Sequence, residues 1–293
     1  MPQRQSIIRM VVGAAALSLS LAGCAASTED AAGTDATTFD PASCTADRLQ
    51  TVAPDTLTVA TGEPAFPPWV VDDDPASGEG FEAAVAYAAA AKLGYAQDQV
   101  DWIRTTFDGA VAPGAKEFDW NLQQYTITSA RDSAVDFSSP YYRASQAVVT
   151  SAGSAISGST TIADLHDATL GAAVGSTSLD DAEEIIAPAT QVAVFNDNAA
   201  AVAALANGSI DGIVVDLPTA FYLVGAGEID NGVIVGQLPG TASGQSDSFG
   251  ILLQNNSTLT ACTSWAVEQL AEDGTLAALQ EQWLAGEAAP VLR

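Results

Sequence analysis

Positive charge is what this chain has least of. Its 293 residues hold seven arginines and two lysines against 36 acids, with one histidine, for a net charge of −27. So acidic a chain excludes nucleic acid as a partner, because such binding depends on neutralising phosphates. It equally excludes a polybasic contact with a membrane surface. Cysteine is scarce too, at three residues, and Cys/His metal spacing, a nucleophile elbow and a phosphate loop are all missing. No metal, no cofactor and no catalytic residue is therefore expected. The one histidine, His166, lies in Ala163-Asp164-Leu165-His166-Asp167 and is expected at the surface. The few lysines and many alanines bear on solubility rather than on fold.

Long apolar runs are absent as well. The run from Met10 to Leu21 is too short to span a bilayer comfortably. Arg4 and Arg9 precede it and Leu21-Ala22-Gly23-Cys24 closes it. A charged start, a short apolar stretch and small residues at the end describe a secretory signal. Ending on L-A-G-C, it resembles a bacterial lipobox, in which the cysteine is lipidated, palmitate included, and becomes the new N-terminus. The competing reading is an ordinary buried first helix. We expect residues 1–23 to be a lipoprotein signal peptide, and residues 24–43, rich in Ser, Thr, Asp and Ala, to be a flexible tether. Cleavage removes Arg4 and Arg9 but no acid, moving the net charge from −27 to −29. The expected location is the cell envelope, on the outer face of the cytoplasmic membrane, anchored through Cys24. Cys44 and Cys262 then remain, and in an exported chain they are expected to form a disulfide rather than two separate buried thiols.

From Thr56 onward, strand and helix signals alternate. Leu57–Ala60 is β-rich and ends on Thr61-Gly62. Gly80 opens an alanine-rich helix over Phe81–Leu93 that stops at Gly94. Val100–Ile103, Phe118–Thr126 and Gln146–Val149 read as strands. The alternation then repeats. Strands are predicted over Thr169–Val174, Gln191–Phe195 and Ile210–Asp216, with helices from Ser178 toward Ile186 and over Asn198–Asn207. Ser248–Leu253 reads as a further strand, and Thr260–Leu270 and Leu276–Leu284 as amphipathic helices. Strands separated by helices argue for a parallel-rich sheet in each half.

One segment is more specific than the rest. In so cation-poor a chain, Arg131 follows Thr126-Ile127-Thr128 and precedes Val135-Asp136-Phe137-Ser138 and Pro140-Tyr141. Alone, Arg131 is either a surface arginine or a guanidinium fork for a carboxylate. The whole run resembles the signature of family 3 bacterial solute-binding proteins, the extracytoplasmic amino-acid receptors of ABC importers. The resemblance continues in order along nearly all of the chain after the signal. It implies an α/β, two-lobe periplasmic-binding-protein-like fold of type II with two crossover segments. Lobe 1 would comprise 45–144 plus 249–293, and lobe 2 would comprise 148–238.

The resemblance also implies a ligand constellation. Arg131 would take an amino acid's carboxylate, with Gln124 and Thr126 on that side, although Gln124 stands where the family more often has Ser or Gly. Gly175-Ser176-Thr177 resembles the loop that completes the carboxylate site from the other lobe, and Ser176 or Thr177 also reads as a plain helix cap. Asp216 ends the D-x-x-V-V-D-like run Asp211–Asp216 and would take the ammonium; the local alternative is an N-cap before Leu217-Pro218. Phe66 and Phe107 would sandwich the ligand's aliphatic part or, alternatively, lie in the core, where Trp69 is assigned. Glu63, three residues before Phe66, would either face the ligand's distal end or be an exposed loop acid. The expected function is a lipid-anchored, monomeric receptor that binds a polar L-amino acid and hands it to an importer permease. The rivals are an enzyme on the same fold, resembling cyclic-acid dehydratases, and a ligand-sensing protein.

Overall fold

A computed structural model of the chain describes residues 39–241, 247–284 and 289–293. The expected signal peptide, Cys24 and the first part of the tether lie outside these residues. Within them, strands follow as β1 (Leu57–Thr61), β2 (Val100–Arg104), β3 (Trp120–Asn121), β4 (Val135–Phe137), β5 (Tyr142–Ala144), β6 (Gln146–Ser151), β7 (Leu170–Ala173), β8 (Ala193–Phe195), β9 (Gly212–Asp216), β10 (Gly232–Gln237), β11 (Asp247–Phe249) and β12 (Leu252–Gln254). The helices are α1 (Phe81–Lys92), α2 (Phe107–Val111), α3 (Thr177–Asp181), α4 (Asn198–Ala206), α5 (Leu217–Gly225), α6 (Thr260–Glu272) and α7 (Thr275–Leu284).

These strands make two five-stranded sheets, ordered β2-β1-β3-β12-β4 and β10-β6-β9-β7-β8. β1 runs parallel to β2 and β3, while β12 is antiparallel to β3 and β4. In the second sheet β7 is parallel to β8 and β9, and β6 is antiparallel to β9 and β10. Between the sheets, β5 and β11 pair antiparallel, with Phe249 opposite Tyr142. Two chain crossings joined by a short ladder give the two-lobe architecture its hinge.

Local chemistry explains the elements that position the cleft. α1 is an alanine-rich helix, the composition with least entropy to lose, and it buries Phe81, Val85, Ala86 and Ala89 against the first sheet. Its N-terminal Gly80 has φ +102°, and a Cβ there would meet the Trp69 carbonyl oxygen at 2.5 Å, so only glycine fits. α6 and α7 pack on the same core, and the Cys44–Cys262 disulfide, S–S 2.00 Å, ties the start of this lobe to α6. The second sheet is buried on both faces, by Val148, Leu170 and Val214 on one and by Val149, Ile213 and Val215 on the other. Near-continuous apolar strands of this kind belong to sheets covered on both sides; each five-stranded sheet is mixed, with two parallel and two antiparallel pairings, rather than parallel-rich as expected.

Two further sequence expectations differ from the structure. The strand predicted over Phe118–Thr126 is regular only at Trp120–Asn121, because Gln124 adopts φ +52° and turns the chain. Residues 289–293, expected with lobe 1, pack on the second sheet instead: Val291 bridges to Gln237 and Leu292 is buried among Val148, Val214 and Leu238.

Candidate functional site

The cleft between the two lobes encloses about 560 Å³, a size typical of small-molecule sites. Glu63, Phe66, Trp69, Phe107, Gln124 and Arg131 line it from one side, and Gln146, Ser176, Thr177, Asp197 and Asp216 from the other. Among the described lining residues Arg131 is the single cation, against the acids Glu63, Asp108, Asp197 and Asp216.

Arg131 follows the 126–128 run on a short helical turn. Its Nη1 donates to the Thr126 carbonyl at 2.7 Å and its Nη2 to the Gly175 carbonyl of the other lobe at 2.7 Å. Its guanidinium carbon stands 5.3 Å from the centre of the Phe107 ring, which stacks on Tyr125 at 4.7 Å. Burial pulls the guanidinium's pKa down, while Asp180, Tyr125 and Asp247 push it up; arginine remains charged throughout. A partly desolvated fork held by backbone and ring, with donors still to spend, is equipped to meet a carboxylate.

Asp216 ends β9, is 8% exposed and caps α5. It accepts from the Thr219 N–H at 2.9 Å and from the Thr219 hydroxyl at 2.8 Å. Burial raises its pKa to about 6, against the lowering by these hydrogen bonds, and Asp247 raises it further. The cap and the cleft-lining acid are thus one residue, and each carboxylate oxygen keeps a lone pair beyond the cap. Ser176 is the N-cap of α3, accepting from the Leu179 N–H at 3.2 Å and donating to the Ala173 carbonyl at 2.7 Å.

Thr126 takes a different place from the one expected. Thr126 is 3% exposed and is not a lining residue; its hydroxyl meets that of Thr177 across the lobes at 3.1 Å. Gln124 lines the cleft, and its side-chain amide and its backbone N–H (2.7 Å) both donate to Glu82. Phe66 faces Tyr222 of the other lobe at 6.5 Å between ring centres. Trp69, assigned to the core, is 2% exposed and lines the cleft as well. Glu63 lines the cleft and is exposed.

The sequence reading passed over three buried groups around this site. Glu82, 1% exposed, accepts from Gln124 and from the Tyr141 hydroxyl. Burial lifts its pKa to about 7, with Asp216 adding to the rise. Gln146 donates to Asp247 at 2.8 Å and accepts from the Ser178 hydroxyl at 2.8 Å. Asp247 lies on β11 and its pKa is raised, first by burial. No short motif marks any of these; their partners are far away in sequence. Among the described residues no cluster of three His, Cys, Asp or Glu side chains is arranged to hold a metal ion.

Comparison with known proteins agrees with this geometry. The profile of the bacterial extracellular solute-binding proteins, family 3, matches residues 57–286. The L-cystine-binding protein TcyJ of Escherichia coli K12 is 28% identical over 227 residues, covering 77% of this chain and 81% of that protein. Among solved structures, an ancestral arginine-binding protein bound to glutamine superposes with a TM-score of 0.65 at 32% identity, over 78% of this chain and 97% of the other. AncCDT-1, an ancestral amino acid-binding protein and a precursor of cyclohexadienyl dehydratase, superposes with a TM-score of 0.63 at 27% identity, over 78% and 95%. With the profile spanning most of its length and the two-lobe cleft in place, the chain belongs to the bacterial extracellular solute-binding proteins, family 3.

Proposed function

We propose that this protein is a receptor for a polar L-amino acid, held in the cleft and delivered to an ABC importer. The observation that carries the reading is the pairing of one half-buried cation with one buried acid from opposite lobes. Arg131 takes the α-carboxylate, with the Ser176-Thr177 loop completing that end, and Asp216 takes the ammonium. Phe66 and Phe107 flank the aliphatic part, and Glu63 meets the distal end, which favours a cationic or amide side chain over a second carboxylate. The named ligands of relatives, cystine, arginine and glutamine, are all α-amino acids, which supports the class without choosing within it.

Binding bridges the lobes and so favours the closed population of an existing equilibrium. Lipid on Cys24 anchors the receptor, and it works as a monomer. Fractionation tests the anchor: Cys24→Ser is expected in the soluble fraction with unchanged affinity, and its retention in washed membranes refutes lipidation at this residue.

The central test is a thermal-shift and calorimetric panel of the L-amino acids plus L-cystine, with recovery of unmodified ligand checked to separate receptor from enzyme. Arg131→Ala is expected to weaken the best ligand by roughly 2–5 kcal/mol, the cost of leaving a buried carboxylate unpaired, in a protein that stays folded. Near-wild-type affinity in that variant refutes the assignment.

A further inference from the structure

Trp69 has a bond that neither the core nor the proposed ligand contacts explain. Its indole lies in lobe 1 and packs edge-on against Phe81, Tyr142 and Phe249, at 6.0, 5.8 and 5.8 Å between ring centres. Tyr142 and Phe249 are register partners on the two hinge strands. From this seat Trp69 Nε1 donates across to the Thr219 hydroxyl of lobe 2 at 3.0 Å, and both groups are buried. The same hydroxyl lies 2.8 Å from Asp216 Oδ2.

The chemistry of the three groups fixes the direction of this chain. An indole N–H only donates, whereas a threonine hydroxyl has one proton and two lone pairs. With a lone pair occupied by Trp69, the hydroxyl spends its proton on Asp216. A hydrogen bond donated to a carboxylate favours its charged form. If Asp216 carried its own proton on Oδ2, the threonine proton would lose its acceptor in a buried place, which is costly. We propose that Trp69 and Thr219 are positioning residues that act through Asp216: a relay assembled between the lobes that holds this carboxylate ionised and oriented. It rests on the reading that Asp216 receives the ligand's ammonium, and it ties that acceptor's readiness to closure.

The relay has opposition to overcome. Glu82 on α1 and Asp247 on β11 couple electrostatically to Asp216, as does Tyr141, which precedes β5. Burial and Asp247 disfavour charge on Asp216, whereas the bonds from Thr219 favour it. A protonated Asp216 is a poor ammonium acceptor, so affinity is lost as pH falls through its pKa. Removing the relay moves that loss to higher pH.

The test is affinity against pH, from 5 to 8.5, by calorimetry with the tightest binder among the L-amino acids and L-cystine. Wild type, Trp69→Phe, Thr219→Val and the double variant are compared. Each single substitution is expected to weaken binding about tenfold near neutrality and to start the acid-side loss at higher pH. The double variant is expected to match Thr219→Val alone, because the indole acts only through the hydroxyl. Additive losses, or single variants with the wild-type pH profile, overturn the relay. If Trp69→Phe fails to fold, Thr219→Val decides. If no amino acid binds the wild type, the functional reading fails separately. The Asp216 carboxyl titration, followed by carbon-13 NMR in ligand-free protein, then decides the relay: Thr219→Val must raise it, and an unmoved midpoint overturns the proposal.

Discussion

Replacing Glu82 by glutamine should remove a pH dependence of stability whose sign is set by burial. In the unfolded chain this carboxyl titrates near its ordinary 4.5; folded, it titrates at about 7, chiefly because burial disfavours its charge. The folded state therefore binds more protons than the unfolded state between these values, and stability falls as pH rises through the window. Below about 4.5 and above about 7 this contribution is flat. The difference of roughly two and a half units corresponds to about 3 kcal/mol at the alkaline end. Glutamine keeps an acceptor oxygen for the Gln124 N–H and the Tyr141 hydroxyl, both of which meet the same Glu82 oxygen. Its amide nitrogen then faces the Gln124 side chain, whose amide flips to accept. Urea unfolding at pH 4.5, 5.5, 6.5, 7.5 and 8.5 measures the difference between wild type and variant. Wild type should lose ground to Glu82→Gln steadily from 4.5 to 7 and hold level beyond. A constant difference across the range, or a wild type that gains with rising pH relative to the variant, refutes the argument.

Two further outcomes are expected. Reduction of the Cys44–Cys262 bridge, or Cys44→Ser with Cys262→Ser, should cost up to about 5 kcal/mol on the chain-entropy account of a loop of 218 residues, read by urea unfolding of the same preparation before and after reduction; stability unchanged by reduction contradicts it. In the Glu63→Gln variant the affinity ranking among arginine, lysine, glutamine and glutamate should compress, with the cationic ligands losing about fivefold as befits an exposed acid; a ranking left intact shows that specificity is set elsewhere.

What could be read from the sequence, and what could not, follows the range of the interactions. Helix α1 was legible because its alanines, Gly80 and Gly94 all act locally. The Arg131 segment was legible because its residues form one continuous run. Helix α5 was legible only at its start, as an N-cap by Asp216 before Leu217-Pro218, since Phe221, Tyr222 and Val224 are indifferent helix formers, and the Asp216 cap and the burial of Leu217, Ala220 and Leu223 hold it. The irregular stretch after Asn121 has strand-like composition, yet Gln124 turns in the left-handed region, where its N–H meets Glu82. Glu82 itself looked like an acid in a first helical turn, where acids are common. Its partners lie 42 and 59 residues away, beyond any local pattern. The fate of residues 289–293 depends on a groove beside β10 that exists only once the second sheet has formed.

Among the described residues lining the cleft, one cation stands against four acids, and this balance bears on which solute the cleft suits. Asp216, Asp247 and Glu82 each have a raised pKa, first by burial, and Asp247 couples to the half-buried Arg131. Burying like charges together costs stability unless a cation joins them. On the proposed reading the ligand's ammonium is such a cation at Asp216, and its carboxylate meets Arg131 from the other lobe. On that reading a zwitterion finds a partner at both ends, whereas a singly charged solute finds one. Glu63, Asp108 and Asp197 also line the cleft, which is the ground for proposing a ligand with a second cationic or amide end. Closure driven by such a ligand depends on how much better its contacts are with both lobes than with one.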